Sequence, residues 1–304
     1  MKAKRIIYLL PLLAVITLVL LFSCESLGSI AQIGASLGEA TGLISPGVAD
    51  AISKSGVAWG KTFEQITPEQ EYYIGRAVAA NVVSSYKIQT SNPAMTAYVN
   101  KICNALIINS PRPEIYNGYH ANILDSDEIN AFATPGGHIF ITRGLIDCTT
   151  SEDTLASVIA HEVSHIQLEH GLKAIKNSRI NQALAVTATS AGSAATGVDL
   201  EELTSTFGVS INEIVTTMMS NGYSRSQEYD ADSTAMVLLS LAGYEPSSLI
   251  DMLKVLEKNQ GGHPGGFNKT HPTPAQRLTN AQKTVGKYSV PDTRSYRLDR
   301  YSAL

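Results

Sequence analysis

The sequence predicts an α+β domain, mostly helical, with one small β-sheet beside a helix that carries His161-Glu162-Val163-Ser164-His165. Three observations lead there. Apolar residues recur at helical spacing through Ile74, Val78 and Val82, and again through Met95, Val99, Ile102 and Leu106. Two short runs, Tyr119 to Leu124 and His138 to Thr142, alternate or are β-branched as strands are. The central stretch then returns to helical spacing through Leu155, Ile159, Val163 and Ile166, with both histidines off that stripe.

At 304 residues and 44% hydrophobic content the chain can bury a sizeable core. A net charge of −4 without any basic run excludes nucleic acid as a partner. Three cysteines with no CxxC spacing are too few for a disulfide scaffold or a structural zinc knuckle.

Taken in order, Met1 to Arg5 is basic and Ile6 to Phe22 is apolar, followed by Ser23 and Cys24. This pattern is that of a secretory signal peptide, and the run is nearly long enough to be an uncleaved anchor; both readings export the chain. Leu21-Phe22-Ser23-Cys24 resembles a bacterial lipobox, which makes Cys24 the lipid-modified first residue of the mature protein, although Phe22 departs from the usual residue at its place. Residues 24–62, rich in Gly, Ser and Ala, read as a tether with weak helical pieces. The folded domain is expected from about residue 63, its first helix starting at Thr67-Pro68-Glu69 and its second after Asn92-Pro93.

After the first strand comes the acidic turn Asp125 to Glu128, read as a solvated loop because no calcium-loop pattern of Gly and Glu follows. Asn130 to Gly137 ends in the turn Pro135-Gly136-Gly137, and the strand from His138 to Thr142 could lend an edge to an extended peptide. His138 itself reads as a strand side chain. Cys103 and Cys148 could pair in an oxidising compartment or stand as two independent thiols.

Thr149-x-x-Glu152 and Thr150-x-x-Asp153 are overlapping capping-box signals for the central helix, and Gly171 is its expected stop. On a helix, residues four apart share an azimuth, so His161 and His165 can direct both imidazoles at one metal ion with Glu162 beside them. Ala183 to Val198 is too polar and interrupted for a confident membrane span, and Ile211 to Met219 is an apolar helical patch; together they read as a helical insertion. Glu228 and Asp232 then lie four apart on a further helix, where they could supply the third ligand and the carboxylate partner that an HExxH pair needs.

Four stretches in order, Asn130-Ala131-Phe132-Ala133-Thr134-Pro135-Gly136-Gly137, His161 to His165, Glu228-Tyr229-Asp230-Ala231-Asp232 and His271-Pro272-Thr273-Pro274-Ala275-Gln276-Arg277, resemble the HtpX and CAAX-prenyl-protease family of zinc metallopeptidases. The likeness extends to the family's exported lipoprotein branch, typified by LoiP and BepA, and covers roughly Thr67 to Lys283. It implies a zincin-type, gluzincin-like fold with one Zn²⁺ per chain held by His161, His165 and Glu228, Glu162 as general base, and Asp232 holding His161 in its tautomer. It also implies substrate contacts along Asn130, Ala131, Ala133, Gly136 and Gly137. No stretch resembles the transmembrane helices of HtpX or the helical repeats of BepA. The expected organisation is a signal peptide over 1–23, a tether over 24–62, a peptidase domain over 63–287 and a tail over 288–304.

Chemistry then requires donors for a developing oxyanion, and the candidates are His271, Tyr223 and Arg277. His271 ranks first, with a second role as a neutral imidazole that fills an open zinc position in a latent state; it could also merely stabilise its turn. Arg277 could equally be an ion-pair partner for an acid of the metal helices. Gly261 to Gly266 reads as a loop able to cover or clear the cleft, with His263 solvated. The expected activity is cleavage of misfolded or misassembled envelope proteins by an exported, periplasm-facing lipoprotein, on the outer rather than the inner membrane. Its rivals are a chaperone-like assembly factor that rarely cuts and a metallo-aminopeptidase, the latter opposed by the lack of a GxMEN-type motif.

Overall fold

The computed structural model describes residues 27–63, 65–177, 180, 214–259, 270–271 and 274–303. The signal segment with Cys24, the stretch Ala183 to Val198 and the loop Gly261 to Gly266 with His263 lie outside the described residues. The rest falls into two compact units, residues 67–174 with 214–303 in one, and residues 27–66 with 175–177 and 180, as far as these are described, in the other.

In the smaller unit, the segment expected as a tether forms two helices, α1 (Leu27–Ala40) and α2 (Pro46–Phe63). Glycines let them approach: a Cβ on Gly60 would lie 3.0 Å from the Gly28 nitrogen. Pairing two modest amphipathic helices buries Ala35 and Ala49, which neither helix could bury alone.

The larger unit opens with α3 (Pro68–Ser85) and α4 (Pro93–Ile107), started where the sequence indicated by the caps Thr67 and Asn92. The sheet follows: β1 (His120–Leu124), β2 (Ala131–Ala133) and β3 (His138–Thr142), in the order β1-β3-β2. β1 runs parallel and β2 antiparallel to β3. β3 is therefore the central strand, so the edge that the sequence assigned to His138 to Thr142 belongs instead to β2. The hydrogen bonds from Thr134 N–H to His138 and from Thr142 N–H to Asn130 flank this pairing at 2.9 and 3.0 Å. By strand alternation the backbone groups of Ala131 and Ala133 face away from β3.

The glycine turn is fixed by packing on α3. A Cβ on Gly75 would stand 1.6 Å from the Pro135 carbonyl oxygen, and one on Gly136, at φ 70°, would stand 2.6 Å from the Tyr72 Cα. The buried Glu71 carboxylate accepts from the Gly136 N–H at 3.3 Å and pairs with Arg112 at 3.0 Å. The acidic turn carries its own cation: Arg143 bridges Asp125 and Asp127 at 3.5 and 2.6 Å.

After α5 (Arg143–Cys148) comes the central helix α6 (Glu152–Gln167), buried along nearly its whole length. Its cap differs from the one expected: Ser151, with Thr154 at N3, closes the capping box, while Glu152 and Asp153 are buried in ion pairs. Its stop differs too. The helix ends at Gln167, Glu169 takes a left-handed conformation (φ 56°), and Gly171 lies inside the next helical stretch, where a Cβ would meet the Pro135 ring at 3.0 Å. Leu155, Ile159 and Val163 are fully buried and join α6 to the core, each contributing about 1.5–3 kcal/mol of burial.

Across α6 lie α7 (Arg225–Leu241) and α8 (Ser248–Lys258), followed by α9 (Pro274–Thr284). The residues set apart as a tail carry a last helix, α10 (Arg294–Ser302), packed on α6. Cys103 is buried, Cys148 half-buried, and both thiols are free. Among the described residues no helix is long and apolar enough to cross a membrane.

Candidate metal centre

Two helices present the charged residues of the centre. His161 and His165 project from α6, and Glu228 and Asp232 project from α7, whose start is set by a capping box between Ser224 and Gln227. A third element, the Thr270-His271 segment, is tied in by the Thr270 hydroxyl, which donates to Asn130 Oδ1 at 3.1 Å, and by its carbonyl, which accepts from Tyr223 N–H at 3.2 Å. All of the side chains converge in the interior: Glu162, Glu228 and Asp232 are 0% exposed and His161, His165 and His271 no more than 2%.

His161, His165, Glu228 and His271 each offer one donor atom, and the four atoms lie within 4.8 Å of one another. His161 Nε2 is 3.1 Å from His165 Nε2 and 3.2 Å from His271 Nδ1. Glu228 reaches His271 Nδ1 at 3.1 Å, His161 Nε2 at 3.5 Å and His165 Nε2 at 3.6 Å. Donors about 2.0–2.2 Å from one tetrahedral ion stand about 3.3–3.6 Å from each other, so this spacing fits a single ion. The donor set, three imidazoles and a carboxylate, is one that zinc accepts.

Charges around the donors are ordered. Asp232 lies 3.1 Å from His161 Nδ1, the contact that fixes a ligand imidazole with Nε2 toward an ion. Arg277 of α9, 1% exposed, grips Asp232 with two bonds of 2.9 and 2.6 Å and lies 3.0 Å from Glu228. This places Arg277 in its ion-pair role. Burial opposes the ionised form of Glu228, but the neighbouring His271 and Arg277 charges hold its carboxyl well below the usual range. Burial and Arg277 oppose protonation of His161, yet its bonds to Asp232 and Glu228 raise its pKa to about 9. Burial drives His165 the other way, well below the ordinary imidazole value.

Glu162 is the exception in this network. Burial raises its pKa, neither oxygen has a hydrogen-bond partner among the described residues, and His271 Nε2 lies 3.5 Å away. Tyr223 stacks on His165 with centroids 4.1 Å apart and planes 19° apart, and its buried hydroxyl is likewise without a partner.

Residues 93–285 match the description "Peptidase family M48", a span that includes all four sequence motifs and both metal helices. The chain belongs to peptidase family M48. Among its relatives is the beta-barrel assembly-enhancing protease of Escherichia coli O157:H7, 25% identical over 245 residues that cover 79% of this chain and 48% of that protein. Metalloprotease LoiP of Escherichia coli K12 is 29% identical over 62% of this chain and 71% of LoiP, and the mitochondrial metalloendopeptidase OMA1 of Schizosaccharomyces pombe is 23% identical over 76% of this chain and 65% of OMA1. The chain thus spans about half the length of the beta-barrel assembly-enhancing proteases it matches.

The remaining residues picked out by sequence are placed as follows. Asn130 is turned inward, accepting from Ala131 N–H at 2.9 Å and donating to Glu128 at 3.3 Å. Ala131 and Ala133 are buried on the sheet edge, and Gly136 and Gly137 owe their identity to close approach, a Cβ on Gly137 meeting the Gly118 oxygen at 2.4 Å. Sequence reasoning passed over His170, fully buried, with Nδ1 2.9 Å from His165 Nδ1. A histidine five positions beyond His165 was the available signal, but a turn rather than a continuing helix brings it there.

Proposed function

We propose that this chain is a zinc-dependent endopeptidase with His161, His165 and Glu228 as metal ligands and Glu162 as general base. The convergence of four donor atoms within 4.8 Å beside a buried carboxylate that has no hydrogen-bond partner among the described residues carries this reading. A bound zinc ion supplies Lewis acidity, lowering the pKa of water toward neutrality and polarising a peptide carbonyl. Glu162, with both oxygens available and its pKa raised by burial, takes the proton of the attacking water and returns it to the departing amine. Asp232 holds His161 in the tautomer that presents Nε2. Arg277 neutralises the two acids of α7 without entering the reaction.

His271 fits the donor set as its fourth member. With His271 as a fourth donor the site would leave no place for a water, so this arrangement would be latent until the His271 side chain withdrew to admit substrate. Tyr223, whose pKa burial raises, keeps its proton and can donate to an oxyanion once that space opens. The backbone groups of Ala133 and the carbonyl of Ala131, which face away from β3, would pair with an extended substrate, with Asn130, which holds the Ala131 N–H, and the Gly136-Gly137 turn keeping that edge in place.

For the biological setting we infer misfolded or misassembled envelope proteins as substrates, a reading supported by the apolar export-type segment and by the name of one relative, the beta-barrel assembly-enhancing protease. The apolar segment ending at Cys24 supports an exported lipoprotein facing the periplasm, on the outer membrane. Cys24→Ala should abolish a lipid mass gain and membrane fractionation; unchanged behaviour defeats the anchor.

Casein hydrolysis by the full chain, with bound zinc quantified, tests the chemistry. Glu162→Gln should lower kcat by about 10²–10⁴-fold with zinc retained, and His271→Ala should raise it if His271 closes the site. Removing zinc with a chelator should silence the wild type and adding it back should restore cutting. Zinc bound by all variants with casein uncut and aggregation suppressed would replace the peptidase reading with a chaperone-like one.

A further inference from the structure

The two α6 imidazoles of the centre are backed differently. His161 has the Asp232 carboxylate behind its Nδ1, whereas His165 has another imidazole, His170, whose Nδ1 is 2.9 Å from its own. Carboxylates, backbone carbonyls and waters are the usual partners of a ligand histidine. Among the described residues, no carboxylate or backbone carbonyl is hydrogen-bonded to the Nδ1 of His165, which meets His170 instead.

The fold builds this contact deliberately into the end of α6. The helix stops at Gln167 and Glu169 reverses the chain in a left-handed conformation, anchored by a 3.3 Å ion pair to Arg112. The next residue, His170, drops beneath the helix end and is 0% exposed. Tyr223 stacks on the His165 ring and fixes its plane, and the Tyr223 and His170 centroids are 5.8 Å apart.

We infer that His170 is a positioning residue of the metal centre: its Nδ1 accepts the Nδ1 proton of His165 and so keeps the Nε2 lone pair of His165 turned toward the ion. Two ring nitrogens 2.9 Å apart share one proton. If His170 donated, His165 would carry its proton on Nε2, the atom 3.1 Å from His161 Nε2 and 3.6 Å from Glu228, and could not serve as a ligand. With His170 accepting, Nε2 of His165 is bare where the other donors converge. With Nδ1 accepting, His170 carries its own proton on Nε2, an atom that is buried without a hydrogen-bond partner among the described residues. This inference rests on the zinc reading of the centre and adds a residue outside the ligand set.

The test measures zinc affinity of the full chain by chelator competition for wild type, His170→Asn and His170→Leu, with thermal melts as fold controls. Asn can place an acceptor oxygen where Nδ1 stands, whereas Leu fills the space without one. The expected result is a weakening of about 10–100-fold for H170L and restoration to within about threefold of wild type for H170N. A folded H170L that binds zinc as tightly as wild type overturns the inference while leaving the zinc reading intact; a wild type that binds no zinc overturns both. Should H170L fail to fold, long-range ¹H–¹⁵N spectra of the wild-type histidines decide: a proton on Nδ1 of His165 supports the inference, and a proton on its Nε2 in the zinc-free chain overturns it.

Discussion

The two ends of α6 both bury acids beside arginines, and they differ in how completely those acids are satisfied. At the N-terminal end Glu152 accepts from Tyr98 at 2.5 Å, Tyr244 at 2.8 Å and Arg300 at 2.9 and 2.6 Å, while Asp153 accepts from Arg297 at 2.9 and 3.0 Å and from Glu245 N–H at 3.0 Å. At the other end Glu162 has two buried oxygens without a hydrogen bond, and Tyr223 and His170 each have one such atom. Saturation is what a structural anchor needs, because an unpaired buried polar group costs about 1–3 kcal/mol. Unused capacity is what chemistry needs. The same helix is thus clamped at one end by α10 and left with open valences at the other.

Cutting the clamp should produce the largest change in stability. Arg297 and Asp153 are both buried, so Arg297→Ala leaves a carboxylate facing one backbone N–H, and loss of one partner of such a pair costs about 3–5 kcal/mol. For a domain of this size the melting temperature should fall by about 6–20 °C, with turnover per folded molecule unchanged at low temperature. A melt within a degree of wild type would mean that α10 does not hold α6.

Arg300 sharpens the contrast, because its side chain is 57% exposed while its partner Glu152 is 2% exposed. Burial pushes the Glu152 pKa up, but the donors from Arg300, Tyr98 and Tyr244 outweigh it and leave it below the usual 4.5. A carboxylate with a depressed folded pKa contributes stability that is fully present above the unfolded value and is lost as pH falls through the folded one. Arg300→Ala should therefore destabilise by ~1 kcal/mol at neutral pH and move the acid-unfolding midpoint upward. An unmoved midpoint would show that the two tyrosines alone hold Glu152 ionised.

How far the sequence revealed these two ends depended on the range of the interactions. Local signals read correctly: the helix starts at Thr67 and after Asn92, the strand at Tyr119 to Leu124, and the helices that set His161/His165 and Glu228/Asp232 four apart all depend on neighbours along the chain. The motifs also announced the convergence of α6, α7 and His271. What was illegible is long-range. Glu152 and Asp153 read as cap acids because their arginines lie 148 and 144 residues away on a segment with no signal of its own. β3 read as an edge because nothing local says that β1 will pair with its far side. Gly171 read as a stop, although its small size serves the approach of Pro135 and the reversal falls on Glu169.

A prediction of opposite sign to that at Glu152 concerns Glu162 itself. Glu162 sits in the interior with no hydrogen bond to either oxygen among the described residues and only the 3.5 Å approach of His271 Nε2, and burial resists its charge. Gln has the same shape without the charge, so Glu162→Gln should stabilise the zinc-free chain at neutral pH, by ~1–2 kcal/mol, while Glu152→Gln destabilises it. Both variants are to be melted in chelator, which removes the stabilisation that a bound ion would add to the native state. If E162Q melts lower than wild type there, Glu162 is a satisfied structural acid like Glu152 and the distinction between the two ends of α6 fails. If it melts higher and no longer cuts casein, the stability given up at Glu162 is tied to its role as the base.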